Sequence, residues 1–212
     1  METVWDRIYE EEEDYATDLE KLRRQVPLLK KEGCRRILDV GCGSGAHMLL
    51  LAREGFEVSG VDISRKALEI ARKRFKKAGL HADFHKIDIY EDKFPFPDKF
   101  FDAVISFNVL HHNRITKIRR ALAEIARVVR KGGLFMATLY ARKPRKRMHR
   151  SRFLDKYTFV PLEGREAGVI HHIFTRKKIE RELEKWFKIE RIETLPDRWW
   201  PRAYYFVMGR RK

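Results

Sequence analysis

The run Asp39-Val40-Gly41-Cys42-Gly43-Ser44-Gly45 joins an apolar, strand-like segment to one of helical period. Glycines at such a junction let the backbone approach a ligand closely, and the helix N-terminus behind them offers unpaired N–H groups. Gly41, Gly43 and Ala46 satisfy the G-x-G-x-x-G/A pattern of dinucleotide loops, so a nicotinamide cofactor is one reading. Asp39 points elsewhere. A dinucleotide brings a pyrophosphate that this carboxylate would repel, whereas a ligand ammonium would be drawn to it. Asp62, 21 residues beyond Gly41 at the end of the next apolar run, can accept hydrogen bonds from both hydroxyls of a ribose. That role serves any ribose-bearing cofactor, and the competing role for Asp62 is stabilisation of a helix N-terminus.

Side chains able to move a proton occur elsewhere. His111, His112, His149, His171 and His172 are candidate bases, joined by Tyr15 from the acidic N-terminal stretch. For the pair His111-His112, one ring is expected to face a pocket and the other to pack or start a helix. His171-His172 reads as strand residues on opposite faces. No acid or cysteine is spaced beside them as a metal partner, so no metal site is expected.

Charge is unevenly placed. The net charge is +16, yet residues 2–20 carry nine acids against one arginine. In Arg142–Arg152 seven of eleven residues are Arg or Lys and none is acidic, which suits contact with an anionic substrate or with nucleic acid. The rival explanation is a charged surface of the kind found in proteins from hot environments. The two cysteines, Cys34 and Cys42, have no spacing that suggests a disulfide or zinc site. No run reaches the ~18 apolar residues of a membrane span, and the N-terminus lacks the apolar core of a targeting signal, so a soluble cytoplasmic protein without a membrane partner is expected.

These residues need a scaffold, and apolar runs alternating with helical segments supply an α/β one with mainly parallel strands. Strands are predicted at 35–40, 56–62, 82–88, 101–107 and 134–140, with helices at 67–77 (capped by Ser64) and 115–130 and a turn at Lys131-Gly132-Gly133. After a helix starting near Thr175, 187–195 and 204–208 read as an antiparallel pair. A single domain over 1–212 is expected, with a helical N-terminal segment at 1–33 and a lid or insertion at 142–174.

Taken in order, four segments resemble the motifs of class I (Rossmann-like) S-adenosylmethionine-dependent methyltransferases, covering roughly residues 35–140. They are the acid-x-Gly-x-Gly-x-Gly loop, Asp62, Lys86-Ile87-Asp88-Ile89, and Phe101 to His112 followed by the Arg130-Lys131-Gly132-Gly133 turn. The resemblance implies a three-layer sandwich around a seven-stranded, mainly parallel sheet whose last strand is antiparallel. It implies S-adenosylmethionine as cofactor and S-adenosylhomocysteine as product. The loop with Gly41, Cys42, Gly43 and Gly45 would wrap the amino-acid part, with Asp39 reaching its ammonium. Asp62 would hold the ribose, Ile63 and Ile89 would cover the adenine, Asp88 would meet its amino group, and Asn108 and Val109 would complete the cleft.

Methyl transfer is an in-line displacement in which positioning does much of the work. A base, drawn from His111, His112 or Tyr15, is needed only for an acceptor that arrives protonated. The expected acceptor is a small molecule or metabolite, anionic if Arg145 and Arg147 meet it, with His149 and His172 in the same wall. Two alternatives stand beside this: a tRNA-modifying enzyme that tracks phosphate with the basic arm, and a non-catalytic cofactor-binding partner subunit. The adenine-amino signature Asn/Asp-Pro-Pro-aromatic is replaced by Asn108-Val109-Leu110-His111, and no cysteine near that strand could attack a pyrimidine.

Overall fold

A computed structural model of the chain describes residues 2–15, 18–141, 150–196 and 203–212. Seven strands form one sheet in the order β3-β2-β1-β4-β5-β10-β9. The central strands are β1 (Arg36–Val40), β2 (Glu57–Asp62), β3 (Asp83–Lys86), β4 (Phe101–Ser106) and β5 (Val129–Tyr140), all parallel. Strands β9 (Phe187–Pro196) and β10 (Ala203–Arg211) pair antiparallel, and β10 runs antiparallel to β5.

Both faces of this sheet are covered, which is why its strands read as continuous apolar runs. Alternate residues point to opposite sides. Leu38, Val104 and Phe135 pack toward α6 (Ile115–Val128) and α7 (Arg176–Leu183) through Ile118, Leu122, Ile179 and Leu183. Ile37, Ala103, Ile105 and Met136 pack toward α4 (Ala46–Arg53) and α5 (Arg65–Ala78) through Met48, Leu51, Leu68 and Phe75. The result is a three-layer α/β sandwich.

The N-terminal residues form three short helices, α1 (Val4–Glu11), α2 (Leu19–Arg23) and α3 (Val26–Lys31). Leu22, Val26 and Leu29 bury on the α4 side of the sheet. Helix α1 begins with a reciprocal cap, since Thr3 Oγ1 accepts from the Asp6 N–H and Asp6 accepts from the Thr3 N–H. Asp6 also reaches outward. Its Oδ1 accepts from Ser64 Oγ at 2.8 Å and from the Lys66 N–H at 3.1 Å, which fixes α1 across the start of α5.

Between β5 and α7, β6 (Ser151–Phe153), β7 (Thr158–Pro161) and β8 (His171–His172) make a separate antiparallel sheet. It is tied to the main domain by backbone bonds from His172 N–H to His111 O and from Phe174 N–H to Tyr140 O, both 2.7 Å. One expectation needs correction. Lys131-Gly132-Gly133 is not a separate turn before β5 but part of that strand, absorbed by a register shift opposite Phe101 and Ala103. The bulge lets the chain leave α6 and enter the ladder without a loop.

Candidate active site

Strand order reverses between β1 and β4, the place where open α/β sheets bind ligands beyond the carboxyl ends of their strands. A cavity of about 1430 Å³ lies there. Its floor is the loop after β1, where Gly41, Gly43 and Gly45 all have positive φ, between 52° and 78°. A side chain on Gly41 would collide with Val109, and one on Gly43 with the Tyr9 hydroxyl. Gly45 instead faces Ala71 of α5 and ends the loop as the α4 N-cap.

Two carboxylates stand behind this loop. Asp62 Oδ2 accepts from the Gly43 N–H at 2.8 Å and Oδ1 from the Ser64 N–H at 2.9 Å, so it braces the loop while lining the cavity. Burial raises its pKa, and the backbone N–H groups of Ser64, Gly43 and Ile63 pull against that rise. Asp39 is 2% exposed, and its Oδ2 has no hydrogen-bond partner among the described residues. Burial, followed by the nearby Asp62 charge, pushes Asp39 up to about 8. A buried acceptor of this kind is costly unless something charged completes it. The residues therefore fit a ligand that presents an ammonium near the loop and hydroxyls near Asp62.

Asp88, Ile89, Ile63, Asn108 and Val109 also line the cavity. Asp88 Oδ1 accepts from the Tyr90 N–H, and the Tyr90 hydroxyl donates to Val109 O at 2.8 Å. Asn108 adopts φ 60°, a left-handed conformation that Asn tolerates better than most residues. Thr138 Oγ1 accepts from the Asn108 N–H at 2.8 Å and donates to Asn108 Oδ1 at 3.0 Å. Cys42 is buried and lines the cavity, whereas Asp39, Gly43 and Gly45 do not line it.

Beyond the loop the cavity widens into an aromatic chamber. His111 is buried, with its ring 4.1 Å from that of His112 and within 6.0 Å of Tyr204 and His171. The His112 ring lies 4.9 Å from both Trp5 and His171. Tyr15 reaches the same place and donates to Glu166 Oε1 at 3.0 Å. The chamber thus brings together three of the candidate bases, His111, His112 and Tyr15.

His172 is a correction. It does not line the cavity, because its Nε2 accepts from Lys178 Nζ at 3.0 Å and its Nδ1 meets Thr158 Oγ1 at 3.0 Å. The ammonium occupies the lone pair a base would use. Burial, and then the Lys178 charge, lower its pKa to about 4. Arg145, Arg147 and His149 lie outside the described residues.

Several lining residues escaped the sequence reading. Trp5 and Tyr9 both face the cavity from α1, and their four-residue spacing was a readable helical stripe. Burial and the Asp62 charge raise the Tyr9 pKa, which keeps its phenol protonated as a donor over the loop. Glu166 had no local signal, since its partner Tyr15 is 151 residues away.

Residues 37–133 match the family model described as "Methyltransferase domain". A demethylmenaquinone methyltransferase of Tropheryma whipplei is 37% identical over 121 residues, 56% of this chain and 47% of that protein. The chain thus spans about half the length of the curated relatives it matches. Among solved structures, a protein of Pyrococcus horikoshii superposes with TM-score 0.77 at 24% identity, over 97% of this chain and 99% of that one. A SAM-dependent methyltransferase of Methanosarcina mazei gives 0.73 at 25% identity, over 87% and 97%. The chain shares its Rossmann-like fold with these structures, and its residues 37–133 are similar to a methyltransferase domain. These likenesses agree with the motif order over residues 35–140, which resembles that of class I S-adenosylmethionine-dependent methyltransferases.

Proposed function

We propose that the protein is an S-adenosylmethionine-dependent methyltransferase whose acceptor is a small molecule held in the aromatic chamber. The observation that carries this reading is the buried, unpartnered Asp39 oxygen behind a glycine loop that Asp62 braces. When bound, S-adenosylmethionine supplies a methyl group on a positively charged sulfur, already activated for displacement. Asp39 would accept from its ammonium, Asp62 from the ribose hydroxyls and Asp88 from the adenine amino group, and Ile63 and Ile89 would cover the ring.

The chain's remaining work is to orient the acceptor, exclude water and receive a proton where the acceptor carries one. Trp5, His111, His112, Phe159 and Tyr204 offer flat surfaces suited to a planar acceptor, and His111 or Tyr15 can take its proton. The demethylmenaquinone relative supports an acceptor of metabolite size. An anionic acceptor gains no support from the described wall, where nine carboxylates line the cavity against Lys21, Arg24 and Arg165. The same acidic lining disfavours RNA, which needs cations along its path.

The test has two stages. Calorimetry should show one equivalent of S-adenosylhomocysteine bound, and NAD binding without any response to S-adenosylhomocysteine would overturn the reading. Isotope-labelled methyl donor incubated with the chain, a metabolite extract and total RNA should then label small molecules. Label confined to RNA, with binding that weakens steeply as salt rises, would favour the RNA reading instead.

A further inference from the structure

Glu166, His171 and His112 come from three places in the chain, and their ligand atoms all lie within 4.8 Å of one another. Spacing along the sequence gave the His171-His172 pair no acidic partner; the loop before β8 supplies one. His171 is 2% exposed, and both of its ring nitrogens face oxygens that can only accept. Nδ1 lies 3.0 Å from Val169 O, and Nε2 lies 2.9 Å from Glu166 Oε2. If Nδ1–H donates to the carbonyl, the Nε2 lone pair points at a carboxylate lone pair. A shared proton resolves that conflict, and so does a cation seated to one side of the Nε2–Oε2 line and shared with His112.

We infer that the cation is a divalent transition metal, held by His171 Nε2, Glu166 and His112, with its open side toward the chamber. Two imidazoles and one carboxylate suit Zn2+ or Co2+, and three protein ligands leave a position for water or an acceptor atom. The surroundings match what metal ligands require. A backbone carbonyl orients His171 from its far nitrogen, and the Tyr15 hydroxyl holds the other oxygen of Glu166. Arg165 lies over the Tyr15 ring and is engaged by Glu11 and Glu12.

The test uses the metal-free full-length chain and Co2+, read by visible absorption, with Zn2+ as competitor. One equivalent is expected, released by Zn2+. Glu166→Gln and His112→Ala should each weaken binding by about tenfold or more, whereas the exposed His81→Ala should not. X-ray absorption on the wild-type complex should show two imidazoles, a readout independent of whether any variant folds. Absence of saturable binding, a spectrum without imidazole ligands, or unchanged affinity in Glu166→Gln would each overturn the inference and leave a proton as the bridge.

Discussion

Asp6 Oδ1 accepts a hydrogen bond from Ser64 Oγ at 2.8 Å, which joins the N-terminal helix to the N-cap of α5, two residues beyond the end of β2. Burial works against ionisation of Asp6, but donors on Thr3, Ser64 and Lys66 outweigh it and hold its pKa at about 2. Asp6→Ala should cost about 1–3 kcal/mol. For a chain of this size that is a fall in Tm of roughly 2–4 °C per kcal/mol, checked by thermal unfolding. Because the folded pKa lies below the ordinary value of 3.8, the wild-type advantage should be complete above pH ~4 and vanish as pH falls through ~2.

Asp39 has the opposite sign. Its folded pKa of about 8 exceeds the ordinary 3.8, so the free protein is favoured by the protonated form and loses that contribution as pH rises through ~8. Asp39→Asn should remove this pH dependence of unfolding. A bound ammonium should restore ionisation, so S-adenosylhomocysteine should release close to one proton below pH ~7. Calorimetry in buffers of different ionisation enthalpy measures that release. The same substitution should weaken affinity by about 10–100-fold, the worth of a charge-assisted hydrogen bond.

Gly43 and Tyr9 should be energetically coupled. Gly43→Ala places a methyl group on the Tyr9 hydroxyl at a residue with φ 52°, and should destabilise by about 1–3 kcal/mol. Adding Tyr9→Phe should recover the steric part and leave the backbone part, a non-additive result in a double-mutant cycle. Strict additivity would show that α1 does not cover the loop in solution.

Asn108→Gly should keep the left-handed turn at the end of β4, whereas Asn108→Ala should lose about 1–2 kcal/mol. Comparative denaturant unfolding checks the order. Both variants lose the side-chain bond to Thr138, so any difference between them reports the backbone.

His172 should behave as a structural group. Burial and Lys178 lower its pKa to about 4 against an ordinary 6.5, so its contribution is complete above pH ~6.5 and lost as pH falls through ~4. His172→Asn should change the acid limb of stability while leaving the acceptor KM unaltered.

The sheet and the cofactor loop were legible because their signals are local. Period-two burial in Ile37-Leu38, the Ser64 cap and the Asp39–Gly45 spacing all lie within a few residues of one another. The chamber was not, since Tyr15 meets Glu166 across 151 residues and His171 finds its acid only after β8 folds back. His172 was misread for the same reason. Its sequence neighbour meets His112 and Glu166, but Lys178, in the first turn of α7, claims its lone pair. Asn108 carried a subtler signal, a residue tolerant of positive φ at the end of a strand, which resemblance to a motif had obscured.

Arg165 pairs with Glu11 and Glu12, and Tyr15 bonds Glu166, so the N-terminal segment and the loop before β8 are latched to each other. One covers the cofactor loop and the other the acceptor chamber. Moving either segment alone would break all of these contacts, so the two are mechanically joined and any opening of the cavity on this side is expected to carry both together.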